Sequence, residues 1–246
     1  MTEPRFDGWP AADLAAHFRL PGVALCASVA STMDVGHALA AEGAPAGTMV
    51  LTDRQTAGRG RGGRVWASAP GDSLTFTLIE RPADPDALAV LSLRLGMTLA
   101  SCLQPFAVGR LSLKWPNDIV EDGGKLLGIL VEARWRGARP EWVAIGIGLN
   151  VRPPAFPGAV GLAAGASRVE ILAAVVPALR QAAAVRGELT ALELAAFAAR
   201  DWARGRRVIE PARGMASGIA PNGALLVETE AGLVACAAGS LVLAEA

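Results

Sequence analysis

The chain has 246 residues, 52% of them apolar and 19% charged, which excludes intrinsic disorder and suits one large domain or a medium domain with a small appendage. Lys and Arg number 23 and Asp and Glu 23, so no global field draws the chain to nucleic acid or to an anionic membrane. No charged segment followed by an apolar run opens the chain, and no apolar run reaches membrane-spanning length, so the expected location is cytoplasmic.

The elements are predicted in chain order from periodicity and turn chemistry. Val23–Val29 reads as a short apolar strand, Ser31–Ala41 as a helix, and Thr48–Thr52 as a strand ending at a long Gly/Arg loop. Leu74–Ile79 alternates as a strand does. Asp84–Pro85 starts a helix whose stripe is Leu88, Leu91, Leu95 and Leu99. Leu111–Lys114, Gly128–Trp135 and Trp142–Ile147 are strands separated by turns. Capping boxes at Ser167-x-x-Glu170 and Thr190-x-x-Glu193 each open an Ala/Leu-rich helix, the first expected to kink or divide at Pro177. From Arg206 the pattern is strands only: Val208–Glu210, Met215–Ile219, Ala224–Glu228, Leu233–Ala235 and Leu241–Leu243. The expectation is α+β, a mixed central sheet flanked by helices over residues 1–204, with a small β-barrel over 205–246.

Cys26, Cys102 and Cys236 stand alone in apolar contexts, so they are expected as buried thiols and suggest neither a disulfide framework nor a zinc site. His17 and His37 sit on Ala/Leu-rich helical stretches and read as surface or core fillers.

Four segments carry chemistry. In Gln55-Thr-Ala-Gly-Arg-Gly-Arg-Gly-Gly-Arg-Val-Trp66, glycines 58, 60, 62 and 63 interleave with Arg59, Arg61 and Arg64. Four glycines in six residues cost folding entropy, but they let backbone N–H groups approach an anion while the arginines supply bidentate donors. The alternative is a solvated RGG-type loop. In Lys114-Trp-Pro-Asn-Asp118, Pro116 keeps Trp115 extended and opens a turn, with Trp115 as core packing the plain reading. Gly124-Lys-Leu-Leu-Gly-Ile-Leu-Val-Glu132 places Lys125 at the mouth of an apolar strand, either snorkelling or aimed at a bound anion. Gly146-Ile-Gly-Leu-Asn-Val151 has two glycines that admit close approach, or else mark a bulge.

Taken together, these segments resemble the biotin–protein ligase family, whose GRGRxGRxW, KWPND, GKLxGILxE and GxGxN patterns occur here in that order. The resemblance begins at Ser31-Thr32 and ends in Gly214–Val227, which looks like the family's SH3-like C-terminal barrel. It implies the class II synthetase/biotin–lipoate ligase fold and an enzyme that forms biotinyl-5′-AMP from biotin and ATP, with Mg²⁺. Biotin then passes to a lysine of a biotin carboxyl carrier protein. By resemblance, Ser31, Thr32, Met33 and Gln55 meet the biotin ring, and Gly58, Arg59, Gly60 and Arg61 hold the carboxylate and the α-phosphate. Arg64 grips phosphate, Trp66 packs near adenine, Lys125 serves both carboxylate and phosphate, and Asn117 and Asn150 lie on the nucleotide side. Gly128, Gly146 and Gly148 form the close-fitting wall. Lys125, Arg61 and Asp118 are the expected catalytic residues, Asp118 positioning the acceptor amine or taking its proton.

The chain departs from the family at Met33, where asparagine is common, at Gly62, where arginine is common, and at Ser73 and Thr75, where Asn and an aromatic residue are usual. The RRxxGGGxV run and following His-Asp of lipoate–protein ligases are absent. Only 30 residues precede Ser31, whereas three helices of average length need about 33–36, so the expectation is a ligase without an N-terminal DNA-reading module, possible homodimer formation being left open.

Overall fold

The structure is a computed structural model and describes residues 3–82 and 84–244. A hairpin of β1 (Arg5–Phe6) and β2 (Trp9–Pro10) leads into α1 (Ala11–Phe18). Then come β3 (Val23–Cys26), α2 (Thr32–Ala41), β4 (Met49–Thr52) and, beyond the Gly/Arg loop, β5 (Ser73–Glu80). Helix α3 (Pro85–Leu103) precedes four strands joined by turns: β6 (Leu111–Lys114), β7 (Asp118–Glu121), β8 (Gly124–Arg136) and β9 (Arg139–Asn150). These seven strands form one sheet in the order β3-β4-β5-β9-β8-β7-β6, with β3 and β4 parallel and every other pair antiparallel. The expected mixed sheet is therefore present. The strand β7 lies where the sequence pattern suggested only a turn.

Helix α3, with the 3₁₀ turn that follows it, makes a 22-residue segment, Pro85–Phe106, long and apolar enough to cross a membrane, contrary to the expectation that no such run exists. It serves instead as a core helix: Leu91, Leu95 and Leu99 of the predicted stripe are buried against the sheet and α4 (Arg168–Ala183). Asp84 accepts from the Asp86 N–H, and Pro85 takes the first helical position, as the start signal implied.

Pro177 does not divide α4, which stays helical from Arg168 to Ala183. An interior proline costs roughly 3 kcal/mol. Burying Ile171, Leu172, Val175, Val176 and Leu179 contributes about 1.5–3 kcal/mol each, so packing outweighs the lost hydrogen bond. At its start, Ser167 Oγ accepts from Glu170 N; the full capping box closes only at α5 (Ala191–Ala198), between Thr190 and Glu193.

The strands-only region forms β10 (Arg207–Glu210), β11 (Gly214–Ile219), β12 (Leu225–Thr229), β13 (Gly232–Cys236) and β14 (Val242–Leu243). They pair antiparallel in the order β13-β12-β11-β10-β14, and among the described residues no ladder joins β13 to β14. The expected small SH3-like unit is thus present as a five-stranded antiparallel sheet, without a closing ladder among the described residues. Val208, Leu225 and Val227 belong to the same apolar core as the central sheet.

Candidate active site

The Gly/Arg loop is a tight hairpin. Gly60 N donates to Arg64 O at 2.7 Å and Trp66 N to Gly58 O at 2.9 Å, around a 3₁₀ turn over Arg61–Gly63. Gly62 (φ 65°) and Gly63 (φ 76°) occupy the left-handed region at its tip, where side chains with a Cβ are strained. The reversal folds Trp66 back over the central sheet, onto Gly148 of β9 and Gly128 of β8.

A narrow cleft opens there, with a solvent-accessible cavity of about 50 Å³. Its walls include Thr32, Met33, Gln55, Arg59, Gly60 and Arg61 from α2 and the loops. Trp66, Asn117, Lys125, Gly128, Gly146 and Gly148 are the other predicted residues that line it, with Thr75 beside them. Gly146 and Gly148 sit in unbroken pairing with β5 and β8, so they mark close approach rather than a bulge. A Cβ at Gly146 would lie 2.7 Å from Met33 Sδ, and one at Gly148 2.6 Å from Trp66 Cδ2.

A second, wider cavity adjoins the first, lined by Arg61, Arg64, Lys114, Asp118, Lys125 and the Gly239–Leu241 segment. Four cations there surround one carboxylate. Lys125 Nζ is 2.9 Å from Asp118 Oδ1 and 5.7 Å from the Trp66 ring centre. Burial pushes the Lys114 amine below its ordinary pKa; Asp118 opposes the shift, while Lys125, Arg64 and Arg206 add to it. Burial, then neighbouring Arg64, likewise lowers Arg61, against the pull of Asp118. Clustering like charges is unfavourable without an anion among them, and this surplus is the electrostatic signature of an anion site.

Some predicted residues lie outside the first cleft. Ser31 caps α2, its Oγ accepting from Met33 N at 3.3 Å. Gly58 is the close-approach point beneath the Gln55 amide, where a Cβ would lie 2.6 Å from Nε2. Arg64 reaches the second cavity and donates to Ser240 Oγ at 3.0 Å. Asn150 is buried and donates to Lys125 O at 3.2 Å, holding the backbone that carries the lysine. Asn117 similarly donates to Ile129 O at 2.8 Å.

Trp115 packs in the core, and its indole donates to Gly223 O at 3.0 Å. The three cysteines are free and half-buried rather than fully enclosed, and burial raises the thiols of Cys26 and Cys102. His37 is no mere filler. The Trp142 indole, which can only donate, gives its hydrogen to Nδ1 at 3.0 Å, so Nε2 carries the proton toward Glu132 at 3.0 Å. Glu132 and Asp34 also hold Arg59, at 3.0 and 2.9 Å.

Sequence reasoning missed Thr77, Glu132, Lys114 and Ser240 as contributors. For Thr77 a signal existed: Ser73, Thr75 and Thr77 alternate with Leu74, Phe76 and Leu78, placing hydroxyls along one face of β5. The others are joined to the site by contacts with distant segments that no local pattern encodes. Among the described residues no group of three His, Cys, Asp or Glu could hold a metal ion.

The Biotin/lipoate A/B protein ligase family matches residues 25–150, just over half of the chain. The bifunctional ligase/repressor BirA of Bacillus subtilis is 41% identical over 132 residues, 52% of this chain and 41% of that protein. The biotin–[acetyl-CoA-carboxylase] ligase of Mycobacterium tuberculosis is 34% identical over 149 residues, 58% and 50% of the two chains. The chain thus spans about half or less of the length of these curated relatives. Among solved structures, the biotin protein ligase of Aquifex aeolicus in complex with biotin and ATP superposes with a TM-score of 0.75 at 25% identity, covering 91% of this chain and 99% of that one. The Leishmania major enzyme with biotinyl-5-AMP shares the fold, with a TM-score of 0.60 at 24% identity over 89% of this chain and 99% of that one.

Proposed function

Since the chain belongs to the biotin/lipoate A/B protein ligase family, we propose that it is a ligase that forms biotinyl-5′-AMP from biotin and ATP and transfers the biotinyl group to a lysine of a biotin carboxyl carrier protein. The observation that carries this reading is the junction of the two cavities, where Arg61 and Lys125 line both a pocket with a hydrogen-bonding end and a chamber with surplus positive charge.

A biotin carboxylate is ionised at neutral pH, since such acids have a pKa of about 4.3. The first step therefore needs no general base; its obstacle is repulsion between carboxylate and phosphates. Lys125, Arg61 and Arg64 offset that repulsion while a carboxylate oxygen attacks the α-phosphorus. The α-phosphorus–oxygen bond breaks and pyrophosphate leaves. Residues 1–204 form the catalytic unit in this reading, and residues 205–246 close the phosphate chamber through Gly239–Leu241.

In the second step the carrier amine attacks the acyl carbonyl, an amide forms, the acyl–phosphate bond breaks and AMP leaves. A lysine amine starts near pKa 10.4 and must shed a proton. Asp118 receives it or orients the amine once the adenylate has drawn Lys125 away. Among the described residues, Asp118 is the one carboxylate lining the phosphate chamber. That donor set fits a magnesium ion brought in on the nucleotide, which supplies further charge neutralisation, better than a dedicated protein cage.

The test is ATP–pyrophosphate exchange with biotin or lipoate, followed by labelling of a carrier domain. Exchange dependent on biotin, lost in Lys125→Ala, is expected. Exchange driven equally by lipoate, or independent of both acids, would remove the biotin assignment.

A further inference from the structure

Thr77 on β5 is fully buried and absent from the walls of both cavities, yet it ends a hydrogen-bond chain that leads to the ring end of the first. The chain runs Thr77 Oγ1 to Thr32 Oγ1 at 2.9 Å, then to Gln55 Oε1 at 3.1 Å. Its direction is set by one group. The backbone N–H of Thr32 is 2.8 Å from the same Gln55 atom, and a backbone N–H can only donate, so that atom is the amide oxygen. The Thr32 hydroxyl hydrogen then also goes to this oxygen. Its own oxygen is left to accept, and Thr77 is the donor. The Gln55 NH₂ is turned the other way, against Gly58 and the cleft.

Packing fixes the far end of the chain. A Cβ at Gly36 of α2 would come within 2.9 Å of Thr77 Cγ2, so the threonine methyl is seated on the bare helix backbone and its hydroxyl is directed at Thr32. The ring end of the cleft consequently presents N–H donors from Gln55 beside the acceptor oxygen of Thr32. That pattern complements a carbonyl oxygen flanked by N–H, as in a cyclic urea.

We propose that Thr77 is a positioning residue for ring selection: without touching the ligand, it holds the Thr32 hydroxyl in place, so that the Gln55 amide, whose polarity the Thr32 N–H sets, stays fixed where it accepts a cyclic urea and rejects a ring presenting a donor at the carbonyl position. The proposal rests on the biotin reading above. Removing the hydroxyl leaves a buried acceptor on Thr32 facing a methyl group, which frees that side chain to turn and leaves Gln55 held by one hydrogen bond.

The experiment measures exchange kinetics with biotin and with its analogue carrying a cyclic guanidine in place of the urea, in the native enzyme and in Thr77→Val, Thr77→Ala and Thr77→Ser. In Thr77→Val and Thr77→Ala, KM for biotin should rise about tenfold, while kcat and KM for ATP stay within about twofold. The preference for biotin over the guanidine analogue should fall about tenfold. Thr77→Ser keeps the hydroxyl and loses the methyl, so native discrimination with a lower melting temperature is expected. Native discrimination in both Thr77→Val and Thr77→Ala, or its loss in a folded Thr77→Ser, overturns the role of Thr77 alone. Failure of biotin to drive exchange in the native enzyme overturns the biotin reading and this proposal with it.

Discussion

Lys125 Nζ lies 2.9 Å from Asp118 Oδ1, across the β7–β8 pairing, so the two residues proposed for opposite half-reactions form one ion pair. The register of the same ladder shifts between Ile119 and Val120, next to both residues. The pair makes each residue's role depend on the other: an incoming anion competes for Lys125, and its capture uncovers the carboxylate.

Asp118→Ala should therefore slow carrier labelling from preformed adenylate by about 100-fold, the scale of a general base. Adenylate formation should fall by no more than about tenfold, because Lys125 loses a holding partner and keeps its charge. Single-turnover measurement of the two half-reactions checks this; equal losses would remove Asp118 from the transfer step.

Arg61 lines both cavities and stands at their junction. Arg61→Gly should shorten the residence of the adenylate and raise labelling of bystander lysines about tenfold or more, since a lost charge-assisted hydrogen bond is worth roughly 1.5–3 kcal/mol. Mixing the variant with an unrelated lysine-rich protein and probing for biotin gives the answer.

Gly148→Ala places a methyl 2.6 Å from Trp66 Cδ2, closer than carbon atoms can approach. Overpacking costs typically 1–3 kcal/mol. The indole must leave the glycine floor, so KM for biotin should rise by an order of magnitude or more, with a melting temperature lower by a few degrees. A native KM would show that Trp66 can be displaced without consequence for binding.

Arg168 is buried on α4 and is held by Asp7 of the first hairpin and by Asp53 at the base of the Gly/Arg loop, with its guanidinium 4.2 Å from the Phe6 ring centre. Breaking a buried pair costs about 3–5 kcal/mol. Asp7 and Asp53 are each more than a third exposed, so solvent screens the carboxylates left behind and Arg168→Met should cost about 2 kcal/mol. Urea unfolding reads the difference.

Glu193 has its pKa lowered chiefly by the hydrogen bond from buried Arg94, with help from the Thr190 cap. A depressed carboxylate contributes stability that is fully present above its unfolded pKa of about 4.3 and is lost as pH falls through the lower folded value. Glu193→Gln should destabilise the protein at pH 7, and the gap to native should close below pH 4. A gap that stays constant from pH 7 to pH 3 would show that the charge contributes nothing.

Local patterns in the sequence carried most of the architecture. The leucine stripe of α3, the caps at Asp84, Ser167 and Thr190, and the alternation of β5 each follow from chemistry within a few residues. The four chemical segments likewise named most of the cleft, because glycine spacing and clustered arginines are visible in one dimension. Where local rules failed, a long-range term was larger. Pro177 stayed helical because the buried face of α4 outweighed it, and β7 formed because it pairs on both sides, with β6 and β8.

By itself, then, the sequence determined which residues bear charge, which backbone positions lack a Cβ, and in what order the elements occur. The tertiary structure decided which of those groups meet. Lys125 finds Asp118, Arg64 finds Ser240 across 176 positions, His37 finds Glu132 and Trp142, and Thr77 reaches Gln55 through Thr32. Hydrogen bonds and ion pairs act over about 3 Å of space, whatever the distance along the chain, so their partners appear only once the sheet has set its register.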